Sequence, residues 1–149
     1  MDIRFKGLET QTEWQWVHSR CSPKYMEDTR GIVAYDAEDM DIKAVCVFDS
    51  WTENSVQMHM AIDNPFVLRH GLLEEVAEYV YNQSGRDIIL AVVPDTNKKA
   101  LKLDTHIGMT LVHTVKDGYK RGVDYHLLEL RRENCRWFKE KTEKVAANG

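Results

Sequence analysis

The sequence predicts an α/β protein with a mixed, mainly antiparallel, twisted sheet of about seven strands and helices on both faces. The first observation is the element order, which is strand, helix, three strands, helix, strand, helix and two strands. The second is that three consecutive strands form a meander, which excludes a purely parallel, doubly wound sheet. The third is the length of 149 residues, which suits one domain with a sizeable core.

The N-terminal half is predicted to hold four strands and one short helix. Alternating apolar and polar residues, or runs of β-branched and aromatic residues, indicate strands. These strands span residues 1–6, 30–35, 42–49 and 55–62. Glu9 to Ser19 predicts the helix, which Ser22-Pro23 ends. In the fourth strand, His59 lies on the face opposite to Met60 and Ile62.

The C-terminal half is predicted to begin with a long helix from Phe66 to Asn82. Its apolar residues recur at helical spacing, at Leu68, Leu72, Val76 and Val80, with Leu73, Ala77 and Tyr81 widening the stripe. Ser84-Gly85 then supplies a C-terminal stop. We expect this helix to pack against the sheet.

The remaining elements are a strand, a short helix and a hairpin. Ile88 to Val93 is a near-continuous apolar run, as expected for a strand buried on both faces. Thr96 to Ile107 predicts a short helix that Thr96 or Asn97 caps and Gly108 ends. Strands at 110–115 and 124–130 then pair across the glycine-containing loop 116–123.

Four residues of the short helix have a distinctive spacing. Asn97, Ala100, Asp104 and Gly108 precede an aromatic-rich hairpin at 113–126. This pattern resembles the C-terminal half of the GCN5-related N-acetyltransferase superfamily, and the element order matches that family over residues 1–130. The hairpin also resembles short acetyltransferase-like proteins of tailed bacteriophages. Residues 131–149 lie beyond the matched domain and are predicted to form a charged helical tail with a small apolar face.

The resemblance implies acetyl-CoA as the cofactor, held where the fourth and fifth strands separate. Its pyrophosphate would rest at the start of the following helix, where free N–H groups and the helix dipole attract anions. The residues that the resemblance places at this site are Met60, Ile62, Arg69, His70, Gly71, Leu72, Asn97 and Ala100. The family's phosphate motif carries two small residues, whereas this chain offers Gly71 alone.

Three residues are candidates for the proton transfers that the resemblance implies. His59 is the candidate base, because it lies on the strand that meets both substrates and histidine titrates near neutral pH. The competing interpretation of His59 is a histidine on a half-exposed strand face. Asp104 stands where the family has a tyrosine acid, and a carboxyl group donates a proton at neutral pH only if burial raises its pKa. The alternative is that Asp104 is a structural substitution, in which case Tyr119 or Tyr125 of the hairpin supplies the proton or no acid is used.

The predicted function is transfer of an acetyl group to a primary amine on a small molecule or a protein N-terminus. The alternative is an inactive module with the same fold, such as a phage virion or host-modulating protein. The net charge of −4 disfavours nucleic acid as a partner. Histidine and cysteine spacing indicates no metal site, the three cysteines suit a reduced cytoplasmic protein, and no apolar run reaches the length of a membrane helix. The edge of the C-terminal hairpin makes a homodimer possible.

Overall fold

A computed structural model describes residues 1–139 and confirms the predicted fold class. Seven strands form one sheet in the order β1-β2-β3-β4-β5-β7-β6, and only β4 and β5 run parallel as neighbours. The strands are β1 Ile3–Gly7, β2 Arg30–Asp36, β3 Ile42–Asp49, β4 Ser55–Ile62, β5 Ile88–Pro94, β6 Thr110–Lys120 and β7 Val123–Arg131. The α-helices are α1 Gln11–His18, α2 Leu72–Ala77 and α3 Lys98–His106.

Hydrophobic side chains lie on both faces of the sheet. The main core joins α2, the end of α3 and one face of the sheet, and Phe48, Leu72, Tyr81, Ile89 and Ile107 are its largest fully buried side chains. A smaller cluster on the opposite face places α1 over β2 and β3, through Val17, Val33, Val45 and Val47. The two clusters place helices on both faces of the sheet, as the element order predicts.

The helix predicted over Phe66–Asn82 is divided in the structure, and this prediction was wrong at its N-terminal end. Pro65–His70 forms a separate 3-10 helix, and α2 begins only at Leu72. Gly71 separates the two segments because its φ of +96° is left-handed and cannot continue a right-handed helix. From Glu78 to Gln83 the helix continues with π geometry.

The predicted hairpin loop at 116–123 is also wrong, because both strands continue into it. β6 runs to Lys120 and β7 resumes at Val123. Asp117 adopts a left-handed φ of 56°, and its Oδ1 accepts the N–H of Gly122 at 2.9 Å. These local bonds maintain the hairpin through the register shift between Val115 and Lys120.

The segment after β7 shows one 3-10 turn, Arg132–Asn134, and no α-helix over residues 131–139. Trp137 and Phe138 pack against the main core, and the Trp137 Nε1–H donates to the carbonyl of Ile107 at 2.8 Å. The rest of the predicted helical tail lies outside the described residues. Among residues 1–139, no helix has the length and apolar character needed to cross a bilayer.

Glu13 is a buried carboxylate that fixes the start of α1. Its Oε1 accepts the N–H groups of Glu9 at 2.9 Å and Thr10 at 3.0 Å, and its Oε2 lies 2.8 Å from Lys6 Nζ. Burial opposes ionisation, but the hydrogen bonds from Lys6, Thr10 and Glu9 outweigh it and lower the pKa of Glu13 to about 2. The Thr10 side chain accepts the Glu13 N–H in return, which completes a capping box.

Replacing Glu13 with glutamine is expected to lower the free energy of unfolding at pH 7 by about 1–3 kcal/mol, since a charged partner of buried donors is lost. The pKa of Glu13 is depressed on folding, so its stabilisation is present above pH 4.5 and is lost as the pH falls towards 2. Urea unfolding at pH 7 and pH 3 measures both effects. The exposed Glu9→Gln variant is the control, and equal stabilities of the two variants at pH 7 would contradict this role.

Candidate functional site

The central feature of the candidate site is a gap between β4 and β5. The two strands pair only where Ser55–Gln57 meets Ile88–Leu90. Beyond these residues β4 stays paired with β3, and β5 stays paired with β7, but they no longer pair with each other. The facing strand edges therefore present backbone N–H and C=O groups that a ligand lying between them could bond.

The segment before α2 lies at the C-terminal end of β4. Arg69 and His70 are exposed at the end of the 3-10 helix, and no side chain caps the N-terminus of α2. The N–H of Gly71 bonds to the carbonyl of Val67, whereas the first turn of α2 leaves N–H groups for an anion. Arg69, the imidazole of His70 and a helix start thus occur together where the resemblance predicts a phosphate site.

Gly71 is required at this position by its backbone conformation. A Cβ atom there would meet only Glu74 and Phe5, both at 3.9 Å, so space does not demand glycine. Replacing Gly71 with valine is expected to destabilise the fold by about 1–2 kcal/mol, because a β-branched residue disfavours the left-handed region. Asparagine tolerates that region, so Gly71→Asn is expected to lose less than half as much in thermal unfolding. Equal losses in the two variants would show that space, and not φ, selects glycine.

Asn97 caps α3 in the structure. Its Oδ1 accepts the N–H of Ala100 at 3.2 Å. Ala100 is half-buried against the main core, one turn before Asp104. The cap accounts for Asn97 structurally, and a contact of Asn97 or Ala100 with a cofactor stays a prediction.

His59 forms a hydrogen-bonded pair with Asp49. Its Nε2 lies 2.9 Å from Asp49 Oδ2, which also accepts the N–H of Lys24 at 2.6 Å. Asp49 is buried to 1% exposure, whereas the His59 side chain is 26% exposed. Within residues 1–139, no hydrogen bond involves His59 Nδ1. The pair therefore combines a fixed ring with a free nitrogen, which is the arrangement of an oriented general base.

The two carboxylate oxygens of Asp49 differ in their bonding. Its Oδ1 is buried and has no hydrogen-bond partner among the described residues. Burial, followed by the charge of Asp49, raises the pKa of the Cys21 thiol to about 11, so this thiol is neutral at pH 7. A buried carboxylate that bonds the histidine ring through one oxygen stabilises the imidazolium that forms when the histidine accepts a proton.

Asp104 lies on the buried face of α3, four residues after Ala100. Its exposure is 6%, and burial raises its pKa to about 7. No hydrogen bond or ion pair within residues 1–139 involves its carboxyl group. The condition that the sequence sets for an acid at this position, burial that raises the pKa, is therefore present in the structure.

The hairpin candidate for the acid is placed less favourably. Tyr119 is 54% exposed on the hairpin, and its ring centroid lies 5.7 Å from that of Tyr125. No contact within the described residues joins Tyr119 to the histidine pair.

Sequence reasoning missed a second histidine cluster, at the C-terminal end of β5. His126 Nε2 lies 2.8 Å from Asp95 Oδ1, and its Nδ1 lies 2.8 Å from Thr114 Oγ1. Asp95 also pairs with Lys98 at 3.3 Å. The signal was the strand register, which sets Thr114 opposite His126 and Val93 beside it. No three acidic, histidine or cysteine residues form a metal-binding group within residues 1–139.

Comparison with solved structures identifies the fold. The structure is similar to the spermidine/spermine N-acetyltransferase SpeG from Vibrio cholerae, with a TM-score of 0.69 and 14% identity over 89% of this chain and 94% of that one. A dodecameric structure of the same spermidine N-acetyltransferase gives a TM-score of 0.70 at 13% identity, over 89% and 95% of the two chains. A protein from Desulfovibrio desulfuricans assigned to the GNAT family gives 0.60 at 18% identity, over 70% and 69%.

No family model matches the sequence, and no curated protein is similar to it in sequence. The structural likeness therefore establishes the fold, which is that of the GCN5-related N-acetyltransferases.

Proposed function

We propose that this protein transfers the acetyl group of acetyl-CoA to a primary amine. The observation that carries the proposal is the gap between β4 and β5, because a sheet that opens between two of its central strands leaves room for an extended ligand. His59, which Asp49 at the end of β3 bonds, borders this gap on β4, and Asp104 lies in the helix that follows β5. A base and an acid are the two proton-handling groups that acyl transfer to an amine requires.

The residues around the gap fit acetyl-CoA. The strand edges offer hydrogen-bonding groups along the gap, with Met60 and Ile62 on β4 beside the main core. Arg69 supplies positive charge for a pyrophosphate, and the His70 ring and the N-terminus of α2 beyond Gly71 supply N–H donors. When bound, acetyl-CoA supplies the acetyl group in an activated thioester.

His59 acts as the general base in this proposal. Its Nε2–H donates to Asp49, which holds the ring in one tautomer and leaves the lone pair of Nδ1 to accept a proton from the acceptor ammonium. The free amine is then nucleophilic. The role of Asp49 is to position the histidine ring and to stabilise the charge that His59 gains.

Asp104 acts as the general acid. Burial raises its pKa to about 7, so at neutral pH a large fraction of the carboxyl group is protonated. The group can then give its proton to the departing thiolate, which is the role of the tyrosine in proteins of this fold. Aspartate has a shorter side chain than tyrosine. Burial against the core raises the pKa of its carboxyl group, so that the group still holds a proton to donate near neutral pH.

The amine acceptor is supported by the neighbours, since the solved SpeG structures are named as acetyltransferases of spermidine and spermine. The proposal is tested by incubating the protein with acetyl-CoA and a panel of primary amines, while thiol release is followed. Amine-dependent thiol release is expected, together with an acetylated product detected by mass. Absence of transfer to every amine, in a folded protein that binds acetyl-CoA, would exclude the enzymatic role.

A non-catalytic binding role is the second candidate, and the exposure of β6 favours it. All residues of this 11-residue edge strand except Thr114 are exposed, and Leu111, Val112 and Val115 are each about half exposed. An unpaired apolar edge suits pairing with another chain, including a second copy in a homodimer. A phage virion or host-modulating protein that uses this edge would bind its partner without acetyl-CoA, which separates the two roles experimentally.

A further inference from the structure

Half of the sheet has one face that no helix within residues 1–139 covers. On β5 and β7, alternate residues point into the main core, namely Ile89, Ala91, Val93, Leu128 and Leu130. The residues between them therefore point to the opposite face. Leu90, Val92 and Leu127 are half-buried there and belong to neither hydrophobic cluster of residues 1–139. The sequence predicted burial of this strand on both faces, and the structure shows burial on one.

This open face, formed by Leu90, Val92 and Leu127, lies on the same side of the sheet as the histidine pair. The register sets Gln57 beside Leu90, and Val47 beside His59, so His59 and Leu90 point to the same side of the sheet. The open face begins at Leu90, which still pairs with Gln57, and His59 follows two residues later on the same side of β4, where the two strands have separated. A molecule whose amine reaches His59 would lie against it.

The charge of the open face disfavours a polyamine. The one carboxylate that β5 and β7 present on this side is Glu129, which lies opposite Leu90. Its Oε1 is paired with Arg131 Nε at 3.0 Å, and both groups lie on the same side of the sheet. A second ammonium group would therefore meet a neutralised carboxylate and apolar side chains, at a desolvation cost.

We propose that the acceptor is a primary amine carried on an apolar body, which packs on Leu90, Val92 and Leu127 while its nitrogen reaches His59. This inference rests on the acetyl transfer proposed above and specifies its acceptor. The apolar body can belong to a small arylalkylamine or to the N-terminal residue of a peptide. Both present the same chemistry to the face.

The test compares three acceptors at fixed acetyl-CoA, namely 2-phenylethylamine, a peptide with an N-terminal leucine, and spermidine. We expect kcat/KM for one or both apolar amines to exceed that for spermidine by about tenfold or more, which is the discrimination that an apolar pocket can supply. A preference for the peptide over phenylethylamine would identify the source of the amine as a protein N-terminus. A preference for spermidine would overturn the inference and leave acetyl transfer intact.

A matched pair of variants tests the face itself. Leu127→Lys places a cation on the open face. Leu111→Lys makes the same change on the other face of the sheet, because Leu111 of β6 pairs with Leu128 and is 59% exposed. Only Leu127→Lys is expected to lower kcat/KM for the apolar amines, by about tenfold, with unchanged affinity for acetyl-CoA. Equal effects of the two variants would overturn the inference.

Size-exclusion chromatography tests whether a second copy of the protein, and not the acceptor, covers the open face. If the protein is a dimer that Leu127→Lys converts to monomers, with all three amines affected alike, the open face is covered by a second copy and the inference is wrong. If no amine is acetylated by a protein that binds acetyl-CoA, the proposed function fails, and the acceptor inference fails with it.

Discussion

Replacing His59 with glutamine is expected to lower kcat for amine acetylation by a factor of about 10²–10⁴, the usual contribution of a general base. Glutamine keeps a polar group that can donate to Asp49, whose bond to His59 spans 2.9 Å, so the buried carboxylate keeps a partner. Affinity for acetyl-CoA and thermal stability should change little. The measurement is steady-state kinetics at saturating acetyl-CoA, with circular dichroism as the folding control.

The pH profile distinguishes a base from a structural histidine. With His59 as the base, the activity of the unmodified protein should rise with pH through the titration of one group, and the rise should be absent in His59→Gln. Asp49→Asn should lower kcat while keeping a residual rise, because the ring loses its orientation but keeps its basic nitrogen. Unchanged kcat in His59→Gln would place His59 among ordinary half-exposed strand histidines.

Replacing Asp104 with asparagine is expected to have the second largest effect, with opposite signs on activity and stability. Asparagine has nearly the same size and no acidic proton, so kcat should fall by about 10–10²-fold if Asp104 protonates the leaving thiolate. The unmodified protein should also lose activity above the pKa of about 7, because the acid form disappears. An unchanged alkaline limb in Asp104→Asn would assign that limb to another group.

The stability effect follows from the raised pKa. In the unfolded chain Asp104 titrates near 3.8, and in the folded protein near 7, so the folded state binds more protons between these values. Stability due to the protonated carboxyl group is therefore present at low pH and is lost as the pH rises from 3.8 to 7. The stability advantage of Asp104→Asn over the unmodified protein is expected to be about 2–3 kcal/mol larger at pH 8 than at pH 5. Urea unfolding at both pH values measures it, and a constant difference would contradict burial of the charge.

The sequence predicted the sheet well because strand periodicity is a local signal. The strands β2, β3 and β4 begin at Arg30, Ile42 and Ser55, the residues at which alternation or β-branched content begins. Gly71 was a weaker signal, since a glycine within an apolar stripe is compatible with a continuous helix. Only the left-handed φ of Gly71 shows that α2 begins at the next residue, Leu72.

The candidate site depends on tertiary contacts that composition does not encode. His59 and Asp49 are separate polar residues in the sequence, and the β3–β4 register brings them to 2.9 Å. The acidity of Asp104 depends on burial, which follows from the packing of α3 and not from its neighbours in sequence. The open face beside β5 was missed because a continuous apolar run does not reveal whether one face or both are covered.

The measurement that tests the central claim most directly is calorimetric titration of the folded protein with acetyl-CoA. The gap between β4 and β5, with Arg69 and the start of α2 at its end, predicts one site with a dissociation constant in the micromolar range. Arg69→Ala should weaken this binding about tenfold, because one phosphate contact is lost. Absence of heat at millimolar acetyl-CoA, in a sample with native circular dichroism, would show that the gap does not hold the cofactor and that the fold serves another role.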